Sequence, residues 1–163
     1  PVASTTIGVG GATPSASGTG ITFPATQSAS SDANTLDDYE EGTWTGTMTG
    51  GTTAPTTAVT ATGKYTKIGN FVNVNITFAN VDTTGASGQL LVTGLPFTSI
   101  NTTQIGSVAS YGLSIPNKTL NSWIGGLTTT IEFVSLVDNG NWGFPNITAG
   151  SAKYLNITAT YFV

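Results

Sequence analysis

The sequence lacks cysteine, histidine and arginine, and only 7% of its 163 residues are charged. Without histidine and cysteine, a Ser-His-Asp triad, a Cys-His dyad, a zinc cage and a disulfide framework are all excluded. Four lysines against eight acidic residues give a net charge of −4, which argues against a nucleic-acid partner because nucleic-acid surfaces need clustered cations. No apolar run approaches the roughly 18 residues that span a bilayer, so we expect no membrane insertion. Three possibilities remain for the function of the chain: acid–base catalysis by carboxylates, a calcium site with oxygen ligands, or no catalysis at all.

Threonine dominates what the sequence does contain, with 32 threonines beside 21 glycines, 14 serines and 12 asparagines. Threonine favours pleated strands, whereas glycine and asparagine favour turns. Hydrophobic residues make up 38% of the chain and include three tryptophans, seven phenylalanines and five tyrosines, which is enough for a packed core. The composition predicts a β-rich domain with a polar, uncharged surface, as is typical of proteins exposed outside the cell.

The first 33 residues differ from the rest of the chain. Residues 1–31 carry no charge and are rich in glycine, serine, threonine and alanine, so they cannot bury enough apolar area to fold alone. Residues 1–33 are therefore either a flexible linker or an extended arm that becomes ordered against neighbouring subunits. In the second interpretation, the anchors of the arm are its spaced apolar residues Ile7, Val9, Ile21 and Phe23.

An acidic connector, residues 34–42, follows the arm. Asn34 or Thr35 is suited to cap a short helical turn here. Paired carboxylates serve glycoside hydrolysis or bind calcium, but the segment lacks the glycine and the alternating acids of a calcium loop. We favour a solvated structural connector that pairs with Lys64 or Lys67 of a neighbouring subunit, and we expect no catalytic residue, no metal site and no cofactor. Five of the eight acidic residues lie in the connector or just before it: Asp32, Asp37, Asp38, Glu40 and Glu41.

From residue 43 to the end, apolar and polar residues alternate in short runs. The clearest run points Val72, Val74, Ile76 and Phe78 to one face. Seven or eight such strands, separated by turn-rich loops, are typical of an antiparallel β-sandwich or jelly roll, so residues 43–163 are predicted to form an all-β head domain. The predicted strands are Thr43–Thr49, Gly63–Ile68, Phe71–Phe78, Gln89–Thr93, Gln104–Leu113, Thr128–Val137 and Tyr154–Phe162, with a turn at Asp138–Asn141 before the last.

The aromatic residues divide into two groups. Those on inward or mixed strand faces are predicted to lie in the core and comprise Trp44, Tyr65, Phe71 and Phe78. Trp123 and Trp142 instead lie among glycine and asparagine, as loop residues do. An exposed tryptophan can stack on a sugar ring while neighbouring amides bind its hydroxyls; the alternative is a tryptophan that plugs one end of the sandwich. The candidate glycan or receptor site comprises Trp123, Trp142, Tyr111 and Asn141.

Three strings stand out in residues 21–97. The first begins at Ile21-Thr22-Phe23-Pro24 and continues into LDDYEEGTWT at residues 36–45, the second is GKYTKIGN at residues 63–70, and the third is Gly94-Leu95-Pro96-Phe97. Together they resemble the C-terminal domains of bacteriophage tail-fibre and related virion-appendage proteins. Gly46 and Lys64 depart from the family pattern, which often has proline and arginine at these positions. The resemblance implies a structural role for the motif residues Leu36, Asp37, Asp38, Tyr39, Glu40, Glu41, Gly42 and Trp44.

The resemblance implies a β-sandwich or jelly-roll-like head that assembles as a homotrimer on a phage particle. The expected function is a non-enzymatic fibre head that binds a glycan or a protein of the host cell surface. One alternative is a capsid decoration or head-fibre protein with a structural role, and a second is a polysaccharide-degrading tailspike domain. The expected partners are further copies of the chain, other virion proteins of the tail or capsid, and the host surface. Such a chain is made in the bacterial host cytoplasm and located on the virion.

Overall fold

The fold consists of β-strands. The structure is a computed structural model, and it describes residues 6–16, 18–115, 119–136 and 140–163. Ten strands and no helix occur within these residues, so the prediction of an all-β fold is confirmed. The strands are β1 (Thr6–Gly8), β2 (Gly20–Thr22), β3 (Tyr39–Gly50), β4 (Val59–Ile68), β5 (Phe71–Val81), β6 (Leu90–Thr93), β7 (Gln104–Tyr111), β8 (Asn121–Ile124), β9 (Thr130–Val134) and β10 (Lys153–Phe162).

Eight of the strands close into one antiparallel barrel in the order β10-β5-β4-β3-β6-β9-β8-β7, with β7 paired again to β10. Strands β3, β4 and β5 follow one another along the chain and β6 returns beside β3, which makes a Greek key. Strands β7 to β10 repeat this arrangement, because β10 returns beside β7. The two Greek keys join where β5 pairs with β10 and β6 with β9. Every strand of the barrel therefore has a partner on both sides.

The barrel interior is filled by alternate residues of the strands, as the period-two pattern predicts. Trp44 and Met48 of β3 are buried. Burial of one large apolar side chain contributes about 1.5–3 kcal/mol, so the inward face supplies the main driving force for closing the sheet. The four predicted inward residues of β5 are buried, and β9 and β10 add further large side chains: Val72, Val74, Ile76, Phe78, Ile131, Phe133, Leu155, Ile157 and Tyr161.

Strand β8 is absent from the sequence-based prediction. Its four residues have Trp123 at their centre and glycine directly after them, a composition that is typical of a loop. The segment is nevertheless a strand because β7 pairs with it on one side and β9 on the other. The predicted turn at Asp138–Asn141 and the predicted strand end at Val137 fall partly or wholly outside the described residues.

The acidic connector is extended, and the predicted helical turn at Asn34 or Thr35 does not form. The Asp32 carboxylate instead accepts a hydrogen bond of 2.9 Å from the backbone N–H of Asn34, an Asx turn that competes with helix formation. Strand β3 then begins at Tyr39, four residues before the predicted start at Thr43. The second half of the connector is therefore part of the sheet.

The prediction that Phe71 lies in the core is wrong. Phe71 is the first residue of β5, and its side chain faces outward against the ring of Phe162, with 5.8 Å between the ring centroids. Cross-strand pairing continues this row through Ile68 to Tyr39. These four exposed apolar residues, Tyr39, Ile68, Phe71 and Phe162, form an arm-end row on the outside of the barrel.

The arm contains a short parallel pair of strands. Strands β1 and β2 pair over three residues, with Ile7 opposite Ile21, and the N–H of Val9 donates to the carbonyl of Thr22 at 3.0 Å. The rings of Phe23 and Tyr39 lie 6.4 Å apart, so the arm reaches the first strand of the barrel.

We expect Gly63→Ala to destabilise the barrel. A Cβ at Gly63 would lie 2.5 Å from the backbone oxygen of Asn75 and would also overlap Nε1 of Trp44. Overpacking of this kind costs about 1–3 kcal/mol. Urea unfolding of the purified chain measures the change. Gly125→Ala is the matched control, because the nearest atom to its new Cβ is 4.0 Å away; equal stabilities of the two variants would contradict this interpretation.

Candidate functional site

The motif residues of the sequence come together at one end of the barrel. Strands β3 and β4 pair in register from Tyr39 opposite Ile68 to Trp44 opposite Gly63, so the LDDYEEGTWT and GKYTKIGN strings form the two sides of one hairpin. The third string, which ends at Phe97, follows β6. Its Phe97 ring contacts the ring of Tyr65 at a centroid distance of 5.3 Å. We call this the arm end of the barrel.

Asp38 and Lys67 form a buried ion pair at the arm end, in which their side chains are only 4% and 5% exposed. Nζ of Lys67 also donates to Oε1 of Gln27 at 3.1 Å and lies 5.7 Å from the centre of the Phe97 ring. The sequence predicts that the connector pairs with a lysine of a neighbouring subunit. Asp38 instead pairs with Lys67 of its own chain, because the register of β3 and β4 brings them together.

The other acidic residues of the connector also have partners within the chain. Asp37 accepts hydrogen bonds from the backbone N–H of Ser30 (2.8 Å) and from Nε2 of Gln27 (3.3 Å), and these bonds, led by that of Ser30, hold the pKa of Asp37 below its ordinary value. The hydroxyl of Tyr65 donates to Glu40 at 3.4 Å. Oε2 of Glu41 accepts a hydrogen bond of 3.3 Å from the hydroxyl of Tyr39. The described residues contain no group of three or more acidic side chains placed to hold a metal ion.

The glycines of the motif allow aromatic rings to lie flat on the hairpin. A Cβ at Gly42 would lie 2.9 Å from the Tyr65 ring, which is its partner across the ladder. Gly63 accommodates Trp44 in the same way. Gly46, which departs from the family pattern, lies where a Cβ would be 2.5 Å from the end of Ile76. The motif residues Gly42 and Trp44 thus pack against Tyr65 and Gly63 on the second strand of the hairpin.

A second feature is an aromatic cluster on the outer surface, formed by Trp123, Trp142 and Phe144. The ring centroids of Trp123 and Trp142 are 4.5 Å apart with an interplanar angle of 86°, and those of Trp123 and Phe144 are 6.3 Å apart at 85°. Trp142 is 51% exposed and Phe144 is 45% exposed. The structure therefore brings together the two tryptophans that the sequence proposes, and neither plugs the interior.

The placement of Trp123 corrects one sequence-based detail. Trp123 lies on β8 and not in a loop, half-buried, and its outward position is fixed by pairing with Ile105 on one side and Glu132 on the other. Trp142 reaches it because Gly143 and Ser135 form an antiparallel bridge. Residues on either side of a bridge point the same way, so Trp142 and Phe144 both face the cluster.

Polar groups lie beside the aromatic cluster. Nε2 of Gln89 donates to Oε1 of Glu132 at 3.0 Å, and Glu132 is the direct cross-strand neighbour of Trp123. Asn141, the amide proposed from the sequence, is exposed next to Trp142. Phe144, Ile105 and Glu132 also line the cluster and are not among the residues predicted from the sequence. The Trp142-Gly143-Phe144 alternation was the available signal for Phe144, whereas Ile105 and Glu132 could be found only from the sheet register.

Tyr111 does not belong to the cluster. It lies six residues beyond Ile105 on β7, which corresponds to about 20 Å along a strand. Its ring is 71% exposed and contacts Tyr154 of β10 at a centroid distance of 5.8 Å. The candidate site from the sequence is therefore divided into a tryptophan cluster and a separate tyrosine pair.

The four predicted anchors of the arm occupy different environments. Ile7 and Ile21 are exposed, whereas Val9 and Phe23 are half-buried. Val9, Ile21 and Phe23 line a shallow cavity together with Leu36 of the connector. The arm thus presents apolar side chains that the described chain does not cover.

Comparison with protein-family models, with curated proteins and with solved structures found no match for this chain. Among the described residues, there is no helix of the length and apolarity needed to cross a membrane.

We expect the chain to lose stability in alkali because of Tyr161. Burial raises the pKa of Tyr161 to about 12 from an ordinary value of 10.0, and its hydroxyl oxygen accepts a bond of 3.3 Å from the N–H of Phe97. Between these two pH values the unfolded chain loses a proton that the folded chain keeps. The stabilisation that comes from the protonated Tyr161 hydroxyl is therefore complete below pH 10. Above pH 10 the free energy of unfolding falls, by about 2–3 kcal/mol in total.

Urea unfolding from neutral pH to about pH 12 checks this expectation. Tyr161→Phe has no ionisable hydroxyl, so its stability should fall less steeply over the same interval. Burial, with a smaller contribution from Glu40, also raises the pKa of Tyr65, which leaves some alkaline sensitivity in the variant. Identical slopes for the two proteins would show that Tyr161 is not responsible.

Proposed function

We propose that this chain is the head of a non-enzymatic, trimeric phage virion appendage, and that its outer surface binds a glycan of the host cell. The observation that carries the proposal is the exposed aromatic cluster of Trp123, Trp142 and Phe144. Two of these rings are about half exposed and meet Trp123 nearly at right angles, which leaves ring faces open to solvent. Aromatic faces bind the apolar faces of sugars, and adjacent amide and carboxylate groups bind hydroxyls.

The chemistry around the cluster supports a neutral, hydroxyl-rich ligand. Asn141 and the Gln89–Glu132 pair supply hydrogen-bonding groups next to the rings. The resemblance of residues 21–97 to virion appendages supports a surface role. The carboxylates of the connector are each bonded to a neighbour in the chain, which supports a structural connector over the tailspike alternative. Weak sites on three heads of one trimer would act together through avidity.

We expect Trp142→Ala to weaken glycan binding by about tenfold or more, because loss of a stacking ring costs about 1.5 kcal/mol. Binding of the intact protein to an array of bacterial surface polysaccharides measures the effect. Tyr111→Ala removes an exposed ring outside the cluster and should leave binding within about twofold. An array on which the wild-type protein binds nothing, or equal losses for both variants, would overturn the assignment.

Trimer formation is the second part of the proposal, and the exposed apolar residues near the arm support it. The arm-end row of Tyr39, Ile68, Phe71 and Phe162 continues through the Phe23 ring to the arm. Contiguous exposed apolar patches mark interaction surfaces. Subunits related by a threefold axis would cover the row and the apolar residues of the arm together. The jelly-roll-like form of the head also remains a proposal, supported by the two Greek keys.

We expect a double variant, Ile21→Ser with Phe23→Ser, to dissociate the trimer and lower its melting temperature, because it removes two apolar anchors of the arm. Phe71→Ser with Phe162→Ser tests the arm-end row in the same way. Tyr111→Ser is the control, because Tyr111 lies at the end of β7 that is far from the arm-end row. This variant should remain trimeric. Sedimentation velocity gives the answer; a monomeric wild-type protein, or double variants that sediment and melt like wild type, would contradict the proposal.

A capsid decoration or head-fibre role is the alternative that the exposed arm also favours, because a capsid surface would cover Ile7 and Ile21 as well as another subunit would. The number of copies per particle distinguishes the two. Hundreds of copies indicate decoration of a capsid lattice, whereas a few trimers indicate a tail fibre.

A further inference from the structure

The buried pair of Lys67 and Asp38 brings an amine and a carboxyl group together out of contact with water. Nζ of Lys67 touches Oδ2 of Asp38, and both side chains are at least nine-tenths buried. Around the amine lie Oε1 of Gln27, at 3.1 Å, and the ring of Phe97. We propose that the two side chains become joined by a covalent amide bond between Nζ of Lys67 and Cγ of Asp38. This inference does not rest on the proposed function.

Proximity is the first reason that this bond can form without an external enzyme. Groups held in contact by a folded structure react as if their effective concentration were about 10⁵ M or more. Asp38 directly precedes β3, and Lys67 lies on β4 opposite Glu40, while Phe97 and Gln27 lie beside the amine. The entropy of bringing the two groups together is therefore lost during folding and not during the reaction.

Burial is the second reason. Two opposite charges in a dry interior carry a large desolvation penalty. An amide is neutral, so the bond removes both buried charges. Its single N–H can donate to Oε1 of Gln27, which already lies 3.1 Å from Nζ. Exclusion of water also slows the reverse reaction, since hydrolysis requires water at the carbonyl.

The reaction is a condensation that balances without an oxidant or reductant. A proton first passes from the Lys67 ammonium to the Asp38 carboxylate, which gives a neutral amine and a neutral acid. Nζ then attacks Cγ and forms the new C–N bond. The C–O bond to the hydroxyl group breaks, a second proton leaves the nitrogen, and the hydroxyl group departs with it as one water molecule.

Intact mass spectrometry of the purified, denatured chain tests the bond. The main species should be lighter than the sequence mass by one water molecule. Trypsin adds a second readout, because the chain has no arginine and only four lysines, at positions 64, 67, 118 and 153. The amide would block cleavage after Lys67, so residues 65–118 should remain one peptide that is attached to residues 1–64.

The variants separate this bond from other losses of water. Lys67→Met and Asp38→Ala should each have the full mass expected for their sequences, whether or not they fold. Lys64→Met alters an exposed lysine of the same strand and should keep the deficit. A wild-type chain of full mass, or a deficit that persists in Lys67→Met, would overturn the proposal.

Discussion

The contact between Asp38 and Lys67 determines how one end of the barrel is built. A closed sheet can fill its middle with apolar side chains, but at the arm end the chain must enter the sheet from outside. Here the two charges lie where β3 begins, and Gln27 connects them to Asp37 and the arm. Removal of either partner would leave an uncompensated buried charge, at a cost of about 3–5 kcal/mol. The position of the arm relative to the barrel therefore depends on this contact.

In the folded chain, the few acidic residues are unevenly distributed between the arm end and the outer face of the barrel. Five of the eight acidic residues lie at residues 32–41, where their bonds order the connector and the arm end. The outer face of β7, β8 and β9 carries instead Ile105, Trp123 and Glu132 in one cross-strand row. The acidic residues of the connector thus organise the arm end, whereas the outer row on β7, β8 and β9 presents two apolar side chains and a single carboxylate.

Local patterns predicted the strands well and the contacts between distant segments poorly. The alternation around Val72 to Phe78 identified β5 and its buried face because a strand has a fixed period of two. Phe71 was misplaced because alternation does not show where a strand ends and its side chains emerge from the barrel. β8 was missed because four residues become a strand only when neighbours pair on both sides. The two tryptophans of the cluster were both proposed, but the 18 residues between them in the sequence concealed their contact. Only the strand register shows that Tyr111 lies apart from them.

Closure of the sheet also limits how two copies of this chain can associate. An open sheet exposes a row of unpaired N–H and C=O groups, onto which another chain can add a strand. The eight barrel strands have no such row, so the barrels of two copies cannot pair edge to edge. Among the described strands, only β1 and β2 of the arm keep an unpaired edge. Any backbone pairing between copies of the chain is therefore restricted to the arm.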